Sequence, residues 1–288
     1  MSDQKPSAST PLFAHLGHGI SRPIRTVNLP VSRASSVVFD TVEEAAQAGS
    51  AATAGQLHWA SYATSGTETT FALADAIAAG EAPGHDCRAA LMPSGLSAIS
   101  TALFAYTRPG DHILMSDSVY GPARVFALGL LSAYGVRTTF FDPRVGAHID
   151  DLIEPATKVI YLESPGSYTF EIQDVPAICA VARRRGVLTM IDNTYASPVL
   201  ARPFDWGIDV SLLALTKYWA GHADLLMGAA VVRAEHWTPL WTTVRQTGIC
   251  VGGDDAWLVL RGMRTVEVRV RAHEKAGLEV ARWLEART

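Results

Sequence analysis

The residue type best suited to covalent chemistry in this sequence is a lysine that directly follows an apolar run. Lys217 comes after residues 212–215 (LLAL) and Thr216, and Tyr218 follows it. Such a lysine is either a surface residue whose stem covers apolar neighbours, or an amine held in a pocket as a nucleophile or base. Its position alone leaves both interpretations open.

Two further features lie beside apolar segments. Asp192 follows residues 187–191 (VLTMI), and Ser94-Gly95 precedes a segment with helical apolar spacing. A carboxylate at the end of a buried strand can pair with a protonated ring nitrogen, or it can simply cap a helix or lie in a loop. A glycine at a helix start lets a phosphate approach free backbone N–H groups, although Ser and Gly are also common N-caps.

Together these features are the groups that pyridoxal phosphate (PLP) requires. The cofactor needs a phosphate site, an acidic partner for its pyridine nitrogen and a lysine that forms a Schiff base. Gly95, Asp192 and Lys217 supply them in that chain order. Tyr120, in SDSVYGPARVF, is a flat side chain that can stack on the ring, or else a turn tyrosine beside Gly121-Pro122. The set predicts a PLP site.

The elements that must position these residues alternate along the chain. Continuous apolar runs, typical of strands buried on both faces, alternate with helical patterns, which predicts an α/β fold with a mostly parallel sheet sandwiched by helices. Ligands bind at the carboxyl ends of strands in such sheets. The predicted strands are 112–116, 136–141, 158–162, 187–191, 210–215 and 229–233, and the helices are 41–51, 67–79, 96–106, 123–134 and 175–185.

Composition excludes several other classes. The chain has 288 residues, of which 48% are hydrophobic, and a net charge of -4, which argues against nucleic acid or an anionic membrane as a partner. Its polar N-terminus and the lack of a run of about 20 apolar residues predict a cytoplasmic protein. Cys87, Cys179 and Cys250 are predicted to be small buried side chains. Histidine spacing suggests no metal site, and no G-x-S-x-G motif occurs.

Four blocks of sequence carry a resemblance to a known family. They are LMPSGLSAISTALFAYTRPGDHIL, YLESPGSYTFEIQDVPAI, MIDNTYASPVLARPFDWGIDVS and TKYWAGHADLLMG, in that order. The sequence resembles the Cys/Met-metabolism family of PLP-dependent enzymes (fold type I, aspartate aminotransferase type). YLESPGS is most similar to the cystathionine β-lyase branch. The resemblance runs from about residue 61 to the C-terminal end.

The resemblance implies roles for individual residues. Lys217 would carry PLP and act in catalysis together with Tyr120, which would also stack on the ring. Asp192 would pair with the pyridine nitrogen. The phosphate would be held by Thr216 and by the backbone of Gly95 and Leu96. Tyr62 would reach the phosphate of a neighbouring subunit, which implies a homo-oligomer, a tetramer built of dimers with shared active sites.

The implied activity is β-elimination from a small sulfur amino acid. Cystathionine, or a cysteine-type substrate, would give homocysteine or another thiol, pyruvate and ammonia, in transsulfuration and methionine biosynthesis. Cysteine desulfhydrase, methionine γ-lyase and cystathionine γ-synthase remain alternatives, because these relatives share the same core residues. A non-catalytic PLP-binding relative is the alternative outside the enzymes.

The resemblance also predicts a division of the chain. Residues 1–60 would form an N-terminal segment that contributes to oligomer contacts, 61–253 the PLP-binding α/β domain, and 254–288 the start of a C-terminal domain that is largely absent. The family pattern Tyr-x-Arg has Thr64 at the arginine position, so one charge-assisted phosphate contact is missing. Glu163 and the Asp254-Asp255 pair are assigned no chemistry.

Overall fold

The fold was established from a computed structural model, which describes residues 27–287. Residues 1–26 of the predicted N-terminal segment, and Thr288, lie outside the described residues. Within the described range, the first helix is α1 (Val42–Thr53), and its N-cap Thr41 accepts a hydrogen bond from the backbone N–H of Glu44. Ser36 and Tyr62 form an isolated antiparallel bridge.

A seven-stranded sheet forms the centre of the protein. Its spatial order is β1-β7-β6-β5-β4-β2-β3. Because β7 is antiparallel to both of its neighbours while β6, β5, β4, β2 and β3 pair in parallel, only β7 runs against the other strands. The strands are β1 (Cys87–Met92), β2 (His112–Ser116), β3 (Arg137–Phe141), β4 (Thr157–Glu163), β5 (Leu188–Asp192), β6 (Val210–Ala214) and β7 (Gly228–Arg233).

Both faces of the central strands are buried, as the continuous apolar runs predicted, whereas the edge strand β3 is partly exposed. In β2, Ile113 and Met115 pack in one apolar cluster, whereas Leu114 packs in another on the opposite face. The first cluster includes residues of helices α3 (Gly95–Tyr106) and α7 (Trp237–Gln246), and the second includes residues of α5 (Val175–Arg185). The predicted fold class is confirmed.

Two elements were not fully predicted from the sequence. The strand β1 was not predicted, because its sequence CRAALM contains alanine and arginine rather than β-branched residues. The predicted helix 123–134 is confirmed as a helical segment over 121–133, in which α4 (Gly121–Phe126) is followed by a π-helical turn, Ala127–Leu131. The remaining helices are α2 (Glu68–Glu81), α6 (Ser197–Leu200), α8 (Gly253–Met263) and α9 (Val266–Glu285).

The last two helices differ in how much of their length packs against the rest of the protein. Residues of α8 pack with those of α2 in a third apolar cluster, to which α9 contributes Val266 and Val270. Beyond Val270 the side chains of α9 are mostly exposed. Among residues 27–287, no helix has the length and apolar character needed to cross a membrane.

Candidate active site

The carboxyl ends of β4, β5 and β6 open into a cleft of about 640 Å³. Six of the seven predicted site residues line it: Gly95, Leu96, Tyr120, Asp192, Thr216 and Lys217. The seventh, Tyr62, lies outside the cleft and is 49% exposed. The structure therefore brings together residues separated by more than 120 positions in the sequence.

Lys217 lies in the turn that follows β6. Its backbone N–H donates to the carbonyl oxygen of Ala214 at 3.0 Å, and its own carbonyl accepts from the N–H of Gly221 at 2.7 Å. Its side chain is exposed on the cleft wall and makes no hydrogen bond or ion pair within the described part of the chain. The amine is thus available to a ligand in the cleft.

Asp192 is the last residue of β5 and is fixed by the next strand. Its Oδ1 accepts from the N–H of Thr194 at 2.9 Å, and the hydroxyl of Thr194 accepts from the N–H of Ala214 at 2.8 Å. Burial raises the pKa of Asp192, which means that the carboxylate form lacks solvation. A protonated ring nitrogen would supply the missing counter-charge.

The N-terminus of α3 closes the cleft on another side. The hydroxyl of Ser94 accepts from the N–H of Ser97 at 3.1 Å, as an N-cap does. The N–H groups of Gly95 and Leu96 lie in the first turn, where a helix has no internal acceptor for them. They are therefore free to hold an anion, which the helix dipole also favours.

Two glycines permit this close approach of helix and strands. A Cβ atom on Gly95 would lie 2.8 Å from the Cβ of Ala214, and one on Gly228 would lie 2.2 Å from the carbonyl oxygen of Ser94. The hydroxyl of Thr216 bonds to the backbone of Met227, at 3.2 Å to the carbonyl and 3.0 Å from the N–H. Thr216 therefore also links the end of β6 to the start of β7.

Glu163 belongs to the cleft, although the sequence interpretation gave it no chemistry. It accepts from the backbone N–H of Tyr120 at 2.6 Å and from the hydroxyl of Ser167 at 2.8 Å. Burial and the neighbouring Asp192 raise its pKa to about 8. The signal that could have identified it is its position, directly after a predicted strand, which is also the position of Asp192.

Asp254, which was also assigned no chemistry, has a local partner. Asp254 pairs with Arg33 at the surface, at 2.8 Å to its Nε. Cys179 is buried as predicted and Cys87 is partly buried, but Cys250 is exposed, so the prediction for Cys250 was wrong. It follows α7 in a connecting segment, where the apolar spacing of the helix no longer applies. No cluster of three or more potential metal ligands occurs among residues 27–287.

This arrangement of the cleft at the carboxyl ends of a mostly parallel sheet fits the PLP-dependent enzymes of fold type I. The chain belongs to the Cys/Met metabolism PLP-dependent enzyme family, whose model matches residues 11–288. PLP is the cofactor of this family, and the donors around the cleft fit its phosphate, ring nitrogen and aldehyde. The predicted family and cofactor are confirmed.

Relatives and solved structures agree with this assignment. A relative from Rhizobium johnstonii is 43% identical over 91% of this chain and 63% of its own length. Cystathionine beta-lyase MetC of Escherichia coli is 40% identical over 94% of this chain and 68% of its length. The structure of cystathionine gamma-lyase from Lactobacillus plantarum superposes with a TM-score of 0.85 at 28% identity, covering 95% of this chain and 68% of that one. The chain thus spans about two thirds of the length of these proteins.

Proposed function

We propose that the protein is a PLP-dependent carbon–sulfur β-lyase that acts on cystathionine or a cysteine-type substrate. The observation that carries the proposal is the meeting of Lys217, Asp192 and the N-terminus of α3 in one cleft. The β-lyase motif YLESPGS and the likeness to the Escherichia coli cystathionine beta-lyase favour β-elimination within the family.

Each residue of the cleft is assigned a different contact with the cofactor. Lys217 would bind it covalently and Asp192 would keep its ring nitrogen protonated, and the bound ring would supply an electron sink. The N–H groups of Gly95 and Leu96, with Thr216, would hold the phosphate. Tyr120 would stack on the ring, and the bond from its backbone to Glu163 fixes the start of α4.

Proton transfer is assigned to Lys217 and Tyr120. The amine of Lys217, when it is not bonded to the cofactor, would act as the base that removes the proton from the substrate Cα. Lys217 or the hydroxyl of Tyr120 then donates a proton to the departing sulfur. Water then hydrolyses the released aminoacrylate, so the products are the thiol, which is homocysteine when cystathionine is the substrate, together with pyruvate and ammonia.

Assembly and location are part of the same proposal. Tyr62 is half exposed and lies outside the cleft of its own chain, which suits a residue that completes the site of a neighbouring subunit. We propose a homotetramer built of dimers, located in the cytoplasm.

The division into residues 1–60, 61–253 and 254–288 also stays a proposal. Thr64 replaces the usual arginine, so phosphate binding depends more strongly on α3.

The test has two stages. The purified chain is mixed with PLP, its visible absorbance is recorded before and after borohydride, and the reduced adduct is mapped. A band that bleaches, with the pyridoxyl group on Lys217, supports the site. No band, or an adduct spread over surface lysines, contradicts it.

Cystathionine is then added and the keto acid is identified. Pyruvate supports the β-lyase, whereas 2-oxobutyrate indicates a γ-lyase or γ-synthase. An adduct on Lys217 without turnover of any sulfur amino acid indicates the non-catalytic alternative.

A further inference from the structure

Arg269 projects from α9 towards the turn that carries Lys217. Its Nη2 donates to the carbonyl oxygens of Tyr218 at 2.6 Å and Gly262 at 2.9 Å. Its Nε donates to the hydroxyl of Thr265 at 3.1 Å. Tyr218 directly follows Lys217, so the guanidinium holds the peptide next to the reactive residue.

Two glycines allow the backbone to pack closely around this guanidinium. Gly221 has a φ of +78°, and a Cβ atom on it would lie 2.3 Å from the Cζ of Arg269. A Cβ atom on Gly262 would lie 2.1 Å from the carbonyl oxygen of Ala220. The turn from Lys217 to Gly221, closed by its own 2.7 Å hydrogen bond, therefore lies directly against the corner between α8 and α9.

The chemistry of these contacts requires arginine. Arg269 is partly buried, and desolvation lowers the pKa of its guanidinium. It makes no ion pair with the described residues, and its hydrogen-bond acceptors are two carbonyls and a hydroxyl. The planar fork of donors reaches acceptors in the turn, in α8 and at the N-cap of α9 at once, whereas the ammonium of lysine is a compact point charge on a flexible stem.

We propose that Arg269 is a positioning residue for Lys217, which fixes the turn that presents the reactive amine to the cleft. The inference rests on the proposed function, because it takes Lys217 as the residue that binds the cofactor. It also makes the start of α9 a functional part of the PLP site, although the sequence placed this helix in a separate domain.

The test measures how fast Lys217 reacts with PLP in the full chain. PLP is added, borohydride stops the reaction at timed intervals, and the adducts on Lys217, Lys158 and Lys275 are quantified by peptide mapping. The two latter lysines are exposed and serve as internal controls. Arg269→Gln and Arg269→Lys are each expected to slow the reaction at Lys217 by about 10- to 100-fold, because small misplacements of reacting groups have effects of this size, and to leave the controls unchanged.

The matched control is Arg271→Gln. Arg271 lies two residues further along α9, is exposed, and pairs with Glu274 at 3.0 Å. It is expected to change the rate at Lys217 by less than about twofold, as surface substitutions do. Thr265→Val retains the guanidinium and removes one acceptor, so a loss intermediate between wild type and Arg269→Gln is expected. If Arg269→Gln does not fold, the rate at which Thr265→Val reacts at Lys217 tests the positioning role in its place.

The outcomes separate the inference from the proposed function. If the wild type modifies Lys217 selectively and the Arg269 variants do so at the same rate, the positioning role is refuted while the function stands. Equal slowing in Arg271→Gln, or equal slowing at Lys158 and Lys275, refutes it as well. If the wild type itself shows no selectivity for Lys217, the proposed function fails, and the inference fails with it.

Discussion

Glu163 and Asp192 are paired in register at the carboxyl ends of β4 and β5, so that two carboxyl groups lie side by side in the cleft. Burial raises the pKa of both, and the proximity of Asp192 adds to the effect on Glu163. Both oxygens of Glu163 already accept hydrogen bonds, from Tyr120 and Ser167. Asp192 is therefore the carboxylate that remains available to a cationic ring nitrogen.

This arrangement predicts that Glu163→Ala weakens PLP binding. The backbone N–H of Tyr120 would lose its acceptor, so the ring of Tyr120 would be held less firmly over the cleft. A hydrogen bond contributes about 0.5–1.5 kcal/mol, so the expected loss of PLP affinity is about 2- to 10-fold. The measurement is an absorbance titration of the chain with PLP. Glu163→Gln is the control, because its amide oxygen can accept from Tyr120 while its nitrogen donates to Ser167. Equal affinities for the two variants would contradict the argument.

A second buried carboxyl group predicts how stability depends on pH. Glu81, in α2, is fully buried, and its Oε1 accepts from Asn193 at 2.7 Å and from Ser211 at 2.6 Å. Burial raises its pKa from 4.5 to about 8. Between these two values the unfolded chain has released a proton that the folded chain still holds, so the free energy of unfolding falls as pH rises. The contribution of Glu81 to the free energy of unfolding is fully present below about pH 4.5.

Glu81→Gln is expected to remove this part of the pH dependence. Relative to wild type, the variant should gain up to about 1.4 kcal/mol of stability for each pH unit within that window. Urea unfolding at several pH values between about 5 and 8 measures the difference. Glu43→Gln, on the exposed side of α1, should show no such trend. Parallel curves for wild type and Glu81→Gln would show that Glu81 does not retain its proton in the folded state.

The sequence was most informative where a polar residue directly follows a buried strand. Asp192 and Lys217 each come after a continuous apolar run, and the rule that ligands bind at the carboxyl ends of strands placed both in the cleft. Glu163 has the same relation to β4, but its partner Tyr120 is 43 positions away in the sequence, and only the folded chain shows the bond between them. The resemblance to the family supplied Tyr120 and the α3 residues with specific roles.

Other features depend on contacts that no local pattern encodes. The apolar spacing of α9 predicts that Val266 and Val270 face inward, but not that Arg269 reaches the carbonyl of Tyr218, 51 positions earlier. The strand β1 is held by its antiparallel pairing with β7, rather than by the β propensity of its residues. Long-range pairing of this kind depends on the tertiary fold and cannot be predicted from the local sequence.

The close approach of β7 and α3 predicts that Gly228→Ala is destabilising. Its Cβ atom would meet the carbonyl oxygen of Ser94, so the start of α3 must move, at a cost of about 1–3 kcal/mol. PLP affinity should fall as well, because the moved N–H groups belong to Gly95 and Leu96. Gly277→Ala is the control: it lies in α9, and no atom from outside that helix lies within 4 Å of the added Cβ. It should stabilise the chain by about 0.4–1 kcal/mol.

Urea unfolding and PLP titration of the two glycine variants test this expectation. The predicted result is opposite changes in the free energy of unfolding, with weaker PLP binding only in Gly228→Ala. An unchanged PLP affinity in Gly228→Ala would mean that the start of α3 does not hold the phosphate.

The final prediction concerns Lys217→Ala, which removes both the covalent anchor and the base. Pyruvate release from cystathionine should fall by about a thousandfold or more, since a positioned acid–base group contributes up to about 10⁴-fold and the anchor is lost with it. The borohydride-stable adduct should disappear from the peptide around residue 217, whereas PLP can still bind non-covalently through Asp192 and α3. Lys158→Ala, at an exposed position of β4, is the matched control and should retain wild-type turnover. A Lys217→Ala variant that keeps a substantial share of pyruvate release would exclude Lys217 as the base.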